Sequence, residues 1–417
     1  MVTPRAAMMD VRELTGTDRI EETPGCLLFA PLRLRSVTLR NRIMASPMCQ
    51  YASDDGMPQD WHLAHLGRLA IGGSALVFHE ETAVEARGRK THHCAGLWRD
   101  DQIPAFARIA DLIRQCGAVP AIQLGHAGAK ASAHGAMRDW AKLRPEDAAD
   151  GLSPWSAISP SGIATSRDGP DPETLDAAGI ESVICAWGAA AARAARAGFE
   201  VLEIHGAHGY LIQQFLSEVT NRRTDDWGGP RENRMRFALA VTHEVRRNWP
   251  AHLPLFFRVS AVDGKGGLWD LDDTVALAAE LRTLGVDMVD CSSGGLSGTS
   301  AMPIVPRVPG YHLPFARAVR ERAGIATVGV GLIREPAQAE AALRDGSVDI
   351  VALARELMYH ADWPVHAAQA LGEPDPFTLF PESFAFRLRR REEVAGYACN
   401  MPADALPSDV VSKIEST

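Results

Sequence analysis

Two histidines and a tyrosine stand close together where an apolar run gives way to glycines. The run from Phe199 to Ile204 is followed by His205-Gly206-Ala207-His208-Gly209-Tyr210, which is typical of a strand that ends in a loop. Two ring N–H donors can hold a developing oxyanion, and a nearby phenol can deliver a proton. These residues therefore indicate chemistry on a carbonyl or nitro compound. The alternative is a pair of buried, hydrogen-bonded histidines at a strand-loop junction.

An amide and a guanidinium occur in two further apolar runs. Strand alternation puts Gln123 on the side of Ala121, and Arg258 on the side of Phe256. If these sides face the interior, both groups need hydrogen-bond partners, because a lone buried charge is costly. A bound heterocycle with carbonyls and ring nitrogens would supply them. An internal ion pair of Arg258 with a carboxylate such as Glu203 is the alternative.

The segment Ser46-Pro47-Met48-Cys49-Gln50-Tyr51 ends the first of these apolar runs. Its proline forbids further ladder pairing and turns the chain away from the sheet. Cys49 and Tyr51 are candidates for a role at this strand end. The alternatives are an inert buried thiol for Cys49 and simple packing for Tyr51.

The elements that position these residues form a regular series. Stretches with helical periodicity, such as Glu181 to Ala197 and Asp272 to Leu284, the latter led by a capping aspartate, separate most of the runs. Eight strand-helix repeats predict a single-domain α/β fold, a (β/α)8 TIM barrel, with its chemistry at the carboxyl ends of the strands. A doubly wound sheet would need an early Gly-x-Gly-x-x-Gly turn, and the sequence has none. The eight runs are Ile43 to Met48, Ala75 to His79, Val119 to Gly125, Phe199 to His205, Leu255 to Ser260, Met288 to Ser293, Ala326 to Gly331 and Ile350 to Arg355.

The seventh and eighth runs occupy the place where barrels of this type commonly bind phosphate. They contain Val328-Gly329-Val330-Gly331 and Ala352-Leu353-Ala354-Arg355. Backbone N–H groups of glycine turns and one arginine make an anion cradle. The alternative is an ordinary barrel rim with Arg355 in a surface ion pair.

The domain organisation follows from the same pattern. Residues 1–26 are expected to be a loose arm, and residues 27–371 the barrel, with a hairpin between Leu28 and Arg42 under its floor. The stretch 131–172 is too long for an ordinary connection and is interpreted as a lid over the mouth. Residues 372–417 form a tail, with a basic helix around Phe386 to Arg391 and a possible subunit contact in a homo-oligomer.

Composition excludes several classes of protein. The 417 residues carry a formal net charge of -9 without a long run of like charge, so nucleic acid is not an expected partner. Seven cysteines without a Cys-x-x-Cys spacing argue against a disulfide framework or a zinc ribbon. No signal peptide or membrane span is recognisable. We expect a soluble, cytoplasmic protein that acts on a small molecule.

With these motifs in order, residues 27–371 closely resemble the Old Yellow Enzyme family of FMN-dependent ene-reductases, and most of all its bacterial subgroup with cysteine in the first-strand motif. Several motifs carry the resemblance in the order that the family has them. They are Ser46-Pro47-Met48-Cys49 with Tyr51, Gln123 in Ile-Gln-Leu-Gly-His, Glu203 to Tyr210, Asn221-Arg222-Arg223-Thr224, Arg258 in Phe-Arg-Val-Ser, Asp290 to Gly294, Gly331, and Arg355-Glu356-Leu357.

The resemblance implies roles for individual residues. Ser46, Pro47, Met48, Cys49 and Gln123 would contact the flavin, with Cys49 tuning its potential. Arg258 would stabilise the reduced flavin, and Gly331, Ala354 and Arg355 would hold the FMN phosphate. His205 and His208 would bind the substrate oxygen, assisted by Tyr51, and Tyr210 would protonate the α carbon.

The implied reaction is a ping-pong reduction of an activated C=C bond by NAD(P)H, with hydride passing through FMN to the β carbon. Two residues depart from the family pattern. Glu81 stands where similar proteins often carry a small residue beside the flavin, and an anion there would disfavour the reduced flavin. Ala354 replaces a glycine typical of the phosphate site.

The resemblance implies no metal. Two alternatives to the flavin-dependent reductase rest on other features. One is a metal-dependent barrel lyase or hydrolase with His205, His208 and Glu203 as ligands. The other is a non-catalytic flavoprotein that keeps the fold.

Overall fold

The structure is a computed structural model that describes residues 25–164, 170–264, 268–296 and 305–399. Eight parallel strands close into a barrel, as the eight apolar runs predict, in the order β3-β4-β5-β8-β9-β10-β11-β12. The strands in chain order are β1 (Leu32–Leu34), β2 (Val37–Leu39), β3 (Ile43–Ala45), β4 (Leu76–Ala83), β5 (Val119–Gly125), β6 (Ile158–Ser159), β7 (Glu173–Thr174), β8 (Val201–Gly206), β9 (Leu255–Ser260), β10 (Met288–Ser292), β11 (Ala326–Gly329) and β12 (Ile350–Leu353).

Helices follow the barrel strands along the chain and complete the (β/α)8 arrangement. Across the described ranges, none of them combines the length and the apolar character needed to cross a bilayer. The helices are α1 (Asp60–Ile71), α2 (Ile103–Gln115), α3 (Ala177–Arg196), α4 (Leu211–Leu216), α5 (Arg231–Asn248), α6 (Leu271–Thr283), α7 (Leu313–Ala323), α8 (Pro336–Arg344), α9 (Arg355–Tyr359), α10 (Trp363–Ala370) and α11 (Glu382–Cys399).

Aspartates begin two of the predicted helices. The Asp176 carboxylate accepts a hydrogen bond from the Gly179 backbone N–H at 2.7 Å before α3. The Asp270 carboxylate accepts from the N–H groups of Asp272 and Asp273 before α6. Each side chain pairs a backbone donor that the first helical turn leaves free, which stabilises the helix by about 1 kcal/mol. The sequence therefore located these helices to within a few residues.

The predicted hairpin closes the bottom of the barrel. Strands β1 and β2 pair antiparallel, and Val37 and Leu39 on β2 are buried against the inward-facing side chains at the start of the barrel strands. We call this apolar cluster the barrel floor. Its members are Leu34, Val37, Leu39, Met44, Ala75, Leu76, Phe78, Ala121, Val201, Phe256, Met288, Val328, Ile350 and Ala352.

Alternation along the strands separates the barrel interior from the helix layer. Ala121 and Phe256 belong to the floor, whereas their neighbours Ile122 and Phe257 pack in the separate outer core with the helices. Period-two geometry then turns the residues two positions further along each strand inward as well. The predicted inward orientation of Gln123 and Arg258 agrees with this pattern.

Strand β4 departs from regular alternation. Its register against β5 shifts between His79 and Glu81, so that Glu81 rather than Glu80 lies opposite Gln123. Such a bulge re-aims the side chains that follow it. Two consecutive glutamates therefore point to different surroundings, with Glu80 toward α1 and Glu81 level with Gln123.

The stretch 131–172 contains short helical turns and a small parallel pair, β6 with β7. Its Trp140 ring lies 5.3 Å from the Tyr51 ring, and its Trp155 packs against the cluster of Ala127, Ala131 and Tyr210. The segment therefore contacts both tyrosines that the sequence placed at the mouth. Residues 165–169 lie outside the described ranges.

The two ends of the chain are described in part. The proposed arm, 1–26, lies outside the described residues up to residue 24, and the Cys26 thiol donates a hydrogen bond to the Glu340 carboxylate at 2.7 Å. The tail forms the predicted helix as α11, which leaves Phe384 and Phe386 exposed. Its subunit contact stays a prediction, and residues 400–417 lie outside the described ranges.

Candidate active site

The His205 and Tyr210 rings meet at the carboxyl end of β8. Their centroids are 5.0 Å apart. His205 Nε2 lies 3.2 Å from His208 Nδ1, and His208 Nε2 lies 2.8 Å from the Ser292 hydroxyl. His205 Nδ1 is buried without a hydrogen-bond partner in the described part of the chain. The arrangement leaves one ring nitrogen available to a ligand.

Backbone geometry at this loop is unusual and specific. His208 adopts φ +57° and Gly209 φ +75°, a left-handed region that few side chains occupy without strain. A Cβ on Gly209 would lie 2.1 Å from the Gly295 carbonyl oxygen. Only glycine fits there, because the two backbones touch.

Burial determines the protonation of these rings. It lowers the pKa of His205 and of His208 well below the usual value, and the nearby Arg258 guanidinium lowers both further. Burial also raises the pKa of the Tyr210 phenol well above its usual range, with Glu81 and Cys49 contributing. The site therefore holds neutral imidazoles and a protonated phenol at physiological pH.

A row of buried polar groups continues around the barrel from β5 to β10. Gln123 Nε2 donates to the Glu203 carboxylate at 2.7 Å. Arg258 lies beside His205 in the sheet register, and its Nε is 3.3 Å from an Asp290 carboxylate oxygen without hydrogen-bond geometry. The guanidinium thus has an ion-pair partner. That partner is Asp290, and not Glu203 as the sequence suggested.

Burial perturbs the two carboxyls of this row. The pKa of Glu203 is raised to about 8 by burial and by the Asp290 charge, against the opposing effect of Arg258. Burial raises the pKa of Asp290 as well. One guanidinium among two buried carboxyls is the kind of charge arrangement that occurs at functional sites.

A cavity of about 260 Å³ joins the ends of the later strands. It is lined by His208 and Arg258, and by the three residues predicted to hold phosphate, Gly331, Ala354 and Arg355. Arg355 has no ion-pair partner among the described residues, which favours the anion cradle over the surface-pair interpretation. The structure brings the predicted guanidinium, one imidazole and the predicted anion cradle into one cavity.

Two backbone conformations explain the residues at this rim. Gly331 has φ +119°, which a side chain rarely adopts. Ala354 has φ -118°, so the alanine in place of a glycine does not have to adopt the left-handed conformation that favours glycine.

The first-strand motif follows β3, the strand next to β12, and so lies beside this cavity. The Ser46 N–H donates to the Leu353 carbonyl at 2.9 Å, and its hydroxyl is buried without a partner in the described residues. Burial, with the Glu80 and Glu81 charges, raises the pKa of the Cys49 thiol well above its usual value. Tyr51 adopts φ +54°. Cys49 is therefore a protonated thiol, and not a reactive thiolate.

A buried group of His62, His79 and Glu80 supports this motif from behind. His62 Nε2 lies 2.7 Å from the Glu80 carboxylate, and the same carboxylate accepts from the Gln50 N–H at 2.5 Å. These bonds fix the chain just after Cys49. His62, His79 and Glu80 are also the one group with metal-ligand spacing among the described residues, and the set of Glu203, His205 and His208 is not such a group.

The loop from Asn221 to Arg234 is a scaffold of paired charges. Arg223 pairs with Asp225, and it donates to the carbonyls of Pro160 and Leu175. Arg234 donates to the Leu216 and Gly229 carbonyls beside its ion pair with Glu218. The loop thereby ties α5 to the end of α4.

Sequence reasoning missed several members of the site. Lys130 is buried, and its ammonium group donates to the His208 carbonyl at 2.7 Å and to the Gly295 carbonyl; burial lowers its pKa to about 7. It follows β5 in a loop without a recognisable signal. Asp290 and Ser292 could have been found, because both share the strand parity of the inward-facing Met288.

Comparison with known proteins identifies the family. The model of the NADH:flavin oxidoreductase / NADH oxidase family matches residues 27–373. The chain belongs to this family, the Old Yellow Enzyme family. The NADPH dehydrogenase of Geobacillus sp. (strain WCH70) is 41% identical over 349 residues, which cover 83% of this chain and 95% of that relative. The NADPH dehydrogenase of Listeria monocytogenes serotype 4b (strain CLIP80459) is 39% identical over 348 residues, with the same coverage.

Solved structures agree with this family assignment. Morphinone reductase is 26% identical, with a TM-score of 0.66, over 85% of this chain and 93% of that chain. Its complex with tetrahydroNAD matches with a TM-score of 0.64 at 26% identity, over 85% and 94% of the two chains. This Old Yellow Enzyme family member is therefore an NAD(P)H-dependent flavin oxidoreductase with FMN as its cofactor. The metal-dependent and non-catalytic alternatives are overturned.

The residues at the mouth fit an FMN group. Several buried polar atoms at the mouth lack hydrogen-bond partners in the described part of the chain, and Arg258 Nε, His205 Nδ1 and Ser46 Oγ are among them. Leaving such atoms unpaired costs about 1 to 3 kcal/mol each. A polar ring with carbonyl and ring-nitrogen acceptors, together with its substrate, would pair them. The free Arg355 guanidinium and the Gly331 turn suit a phosphate at the other end.

Proposed function

We propose that this Old Yellow Enzyme family member reduces the activated C=C bond of α,β-unsaturated carbonyl or nitro compounds by a ping-pong mechanism. The observation that carries the proposal is the neutral His205–His208 pair, with a free ring nitrogen and the Tyr210 phenol in ring contact. A hydrogen-bond donor pair and a separate acid are what a conjugated acceptor needs. The members named NADPH dehydrogenase and the complex of morphinone reductase with tetrahydroNAD support a nicotinamide as reductant.

The cofactor contacts follow from positions around the mouth. Ser46, Pro47, Met48 and Cys49 would meet the flavin ring from the end of β3, and Gln123 from β5. Arg258 would lie at the pyrimidine edge, where its positive charge favours the anionic reduced form. Gly331, Ala354 and Arg355 would hold the phosphate in the cavity at the ends of β11 and β12. Bound FMN supplies hydride transfer, first from NAD(P)H and then to the β carbon of the acceptor.

The chain's own residues complete the reaction on the acceptor. His205 and His208 donate to its carbonyl or nitro oxygen and so withdraw electron density from the C=C bond. Because both rings are neutral, each carries one N–H without the desolvation cost of a buried cation. His205 Nδ1 has no partner among the described residues, whereas His208 exchanges its contact with His205 or Ser292 for the substrate oxygen. Tyr51 assists at the same oxygen. Tyr210 delivers a proton to the α carbon, and Cys49 tunes the flavin potential as a neutral thiol, as in the bacterial subgroup with cysteine at this position.

The segment 131–172 is proposed as a lid. It brings Trp140 to Tyr51 and Trp155 to the Tyr210 cluster, so a substrate that reaches the two tyrosines would also meet this segment. A lid that excludes water protects a reduced cofactor from side reactions. We propose that the same segment selects among substrates.

The proposal is tested by following hydrogen isotopes through one turnover. Purified enzyme with FMN is bleached anaerobically with NADPH deuterated at the transferred position, and 2-cyclohexenone is then added. We expect the flavin absorbance to return, deuterium at the β carbon, and solvent hydrogen at the α carbon. A parallel pattern of double-reciprocal plots is expected for the ping-pong order.

Three outcomes would contradict parts of the proposal. If oxygen restores the flavin absorbance and no member of a panel of enones, maleimides and nitroalkenes does so, the enzyme is not an ene-reductase. If deuterium appears at the α carbon, the assignment of Tyr210 as proton donor is wrong. Intersecting double-reciprocal plots would exclude the ping-pong order alone.

A further inference from the structure

The Glu81 carboxyl lies among the groups of the active-site mouth and has no hydrogen-bond partner in the described residues. Glu81 is 3% exposed, and both of its carboxyl oxygens are buried and unpaired. Its neighbour Glu80 is equally buried, but accepts from Gln50 and pairs with His62. The bulge in β4 separates the two glutamates, so that one is a structural partner and the other is not.

The position of Glu81 is fixed by the sheet. Strand β4 lies between β3 and β5 in the barrel, and Glu81 pairs in register with Gln123. Its Oε1 occupies the space beside Gly125, where a Cβ would come within 2.1 Å of it. Gly125 thereby makes room for a carboxyl group at the level of Gln123. The residues proposed to hold the flavin ring, Cys49 and Gln123, flank it on both sides.

The charges that face Glu81 come from several elements. Glu80 on the same strand raises its pKa, and Lys90 in the following loop lowers it, while burial is the largest cause and brings it to about 8. The other titratable groups that interact with it are neutral side chains with raised pKa values. They are Cys49 and Tyr51 after β3, Cys94 in the loop after β4, and Tyr210 after β8.

An unpaired buried carboxylate costs several kcal/mol, so this group is expected either to hold a proton or to meet a partner that a ligand brings. We propose that Glu81 is a further active-site residue, which holds a proton and donates a hydrogen bond to an acceptor atom of the flavin ring. The inference rests on the proposed placement of FMN between β3 and β5. It deepens the proposed function, because a donor there favours the reduced flavin, whereas a carboxylate would oppose it.

The same placement couples Glu81 to reduction of the flavin. Reduction by two electrons and one proton leaves a negative charge on the flavin, and this charge raises the affinity of Glu81 for a proton. At a pH where Glu81 is ionised in the oxidised enzyme, reduction of the flavin therefore takes up two protons. One proton binds to the flavin and the other to the Glu81 carboxylate. Each additional proton steepens the fall of the midpoint potential by about 30 mV per pH unit.

The experiment is a spectroelectrochemical titration of the FMN-loaded enzyme between pH 6 and pH 10, without substrate. The variants are Glu81→Gln, which keeps a donor and cannot ionise, and Glu81→Ala, which removes the group. Glu340→Gln serves as the control, because Glu340 is a buried carboxyl on α8 that anchors Cys26 and Leu28. Dissociation constants for FMN are measured in parallel.

We expect the wild-type potential to fall more steeply above about pH 8 than below it, and Glu81→Gln to lose this steeper region. At pH 7, Glu81→Ala should lower the equilibrium constant for reduction about tenfold, which is about 30 mV, while Glu81→Gln stays near the wild type. Glu340→Gln should follow the wild type throughout.

Equal potentials and equal slopes in all Glu81 variants would overturn the inference. An effect of Glu81→Ala on FMN affinity alone would also overturn it, because it would show a packing role. The titration contains no substrate, so its result is independent of enone reduction. A changed potential together with an enzyme that reduces no enone would overturn the proposed function and leave the role of Glu81 intact.

Discussion

The same strands build the floor and the mouth of this barrel, but their inward-facing side chains are apolar at the floor and polar at the mouth. Toward the floor, inward positions carry Met44, Phe78 and Phe256, which pack on the hairpin residue Leu39 without polar atoms. Toward the mouth, inward positions carry carboxyls, an amide, a guanidinium and imidazoles. Several of these mouth atoms have no hydrogen-bond partner among the described residues.

The difference shows where the barrel is stabilised and where it acts. Apolar burial at the floor stabilises the fold by about 25 cal/mol per Å², and it requires no ligand. The mouth contains unpaired polar atoms, which cost free energy until a ligand pairs them. It also contains the left-handed residues Tyr51 and His208, whose backbone strain the surrounding structure must offset. Changes at the mouth should therefore alter chemistry, whether or not they also alter stability, and changes at the floor should alter stability alone.

The largest expected effect is at the mouth. Tyr210→Phe keeps the ring that packs on His205 and removes the proton donor, so we expect reoxidation of the reduced enzyme by an enone to slow by about 10² to 10⁴-fold. Flavin reduction by NADPH, measured by stopped flow, should change little and serves as the internal control. An undiminished reoxidation rate would remove Tyr210 from the mechanism.

The next effect is at the floor. Leu39→Ala empties a site that is 1% exposed, and we expect the free energy of unfolding to fall by about 2 to 5 kcal/mol. Thr38→Ala on the exposed face of the same strand is the matched control. Urea denaturation measures both variants. A Leu39→Ala enzyme that loses turnover per folded molecule, or shifts its flavin potential, would contradict the separation of floor and mouth.

The sequence predicted the floor and most of the mouth because both depend on strand parity. The runs Val119 to Gly125 and Leu255 to Ser260 match β5 and β9 at both ends. Strand parity predicted the inward orientation of Gln123, Glu203 and Arg258 correctly. The family motifs identified Gly331 and Arg355.

Other features depend on contacts that no local pattern encodes. The bulge in β4 places Glu81 in register with Gln123, and a period-two pattern has no means to show where an extra residue is inserted. Lys130 reaches the His208 carbonyl from a loop, and Asp290 replaces Glu203 as partner of Arg258 because the guanidinium leans toward β10. These pairings are decided by side-chain packing across strands that are far apart in sequence.

The raised pKa of the buried Glu203 carboxyl predicts that the protein loses stability as the pH rises. Its pKa is raised to about 8, so the folded protein binds more protons than the unfolded chain between about pH 4.5 and pH 8. Stability therefore falls as pH rises through this window. Buried histidines act in the opposite direction only below about pH 6.5.

Glu203→Gln tests this linkage, because it keeps the acceptor for Gln123 and cannot ionise. We expect the variant to gain stability relative to the wild type between pH 6.5 and pH 8.5, as measured by urea denaturation of the holoenzyme. Glu173→Gln, at an exposed carboxyl on β7, should show no such gain. If the unfolding free energies of Glu203→Gln and the wild type differ by the same amount at every pH in this range, Glu203 does not titrate there.

The smallest effect at the mouth is expected from Ser292, and its variants test whether the orientation of His208 matters as much as its presence. Ser292→Ala removes the hydroxyl that lies 2.8 Å from His208 Nε2, at an expected cost of about 1 kcal/mol. The value of kcat/KM for the enone should then fall about fivefold, while the unfolding free energy changes little. Ser292→Thr restores the hydroxyl and should recover most of the loss. If Ser292→Thr is as slow as Ser292→Ala, the serine acts by its size, and the hydrogen bond does not orient the ring.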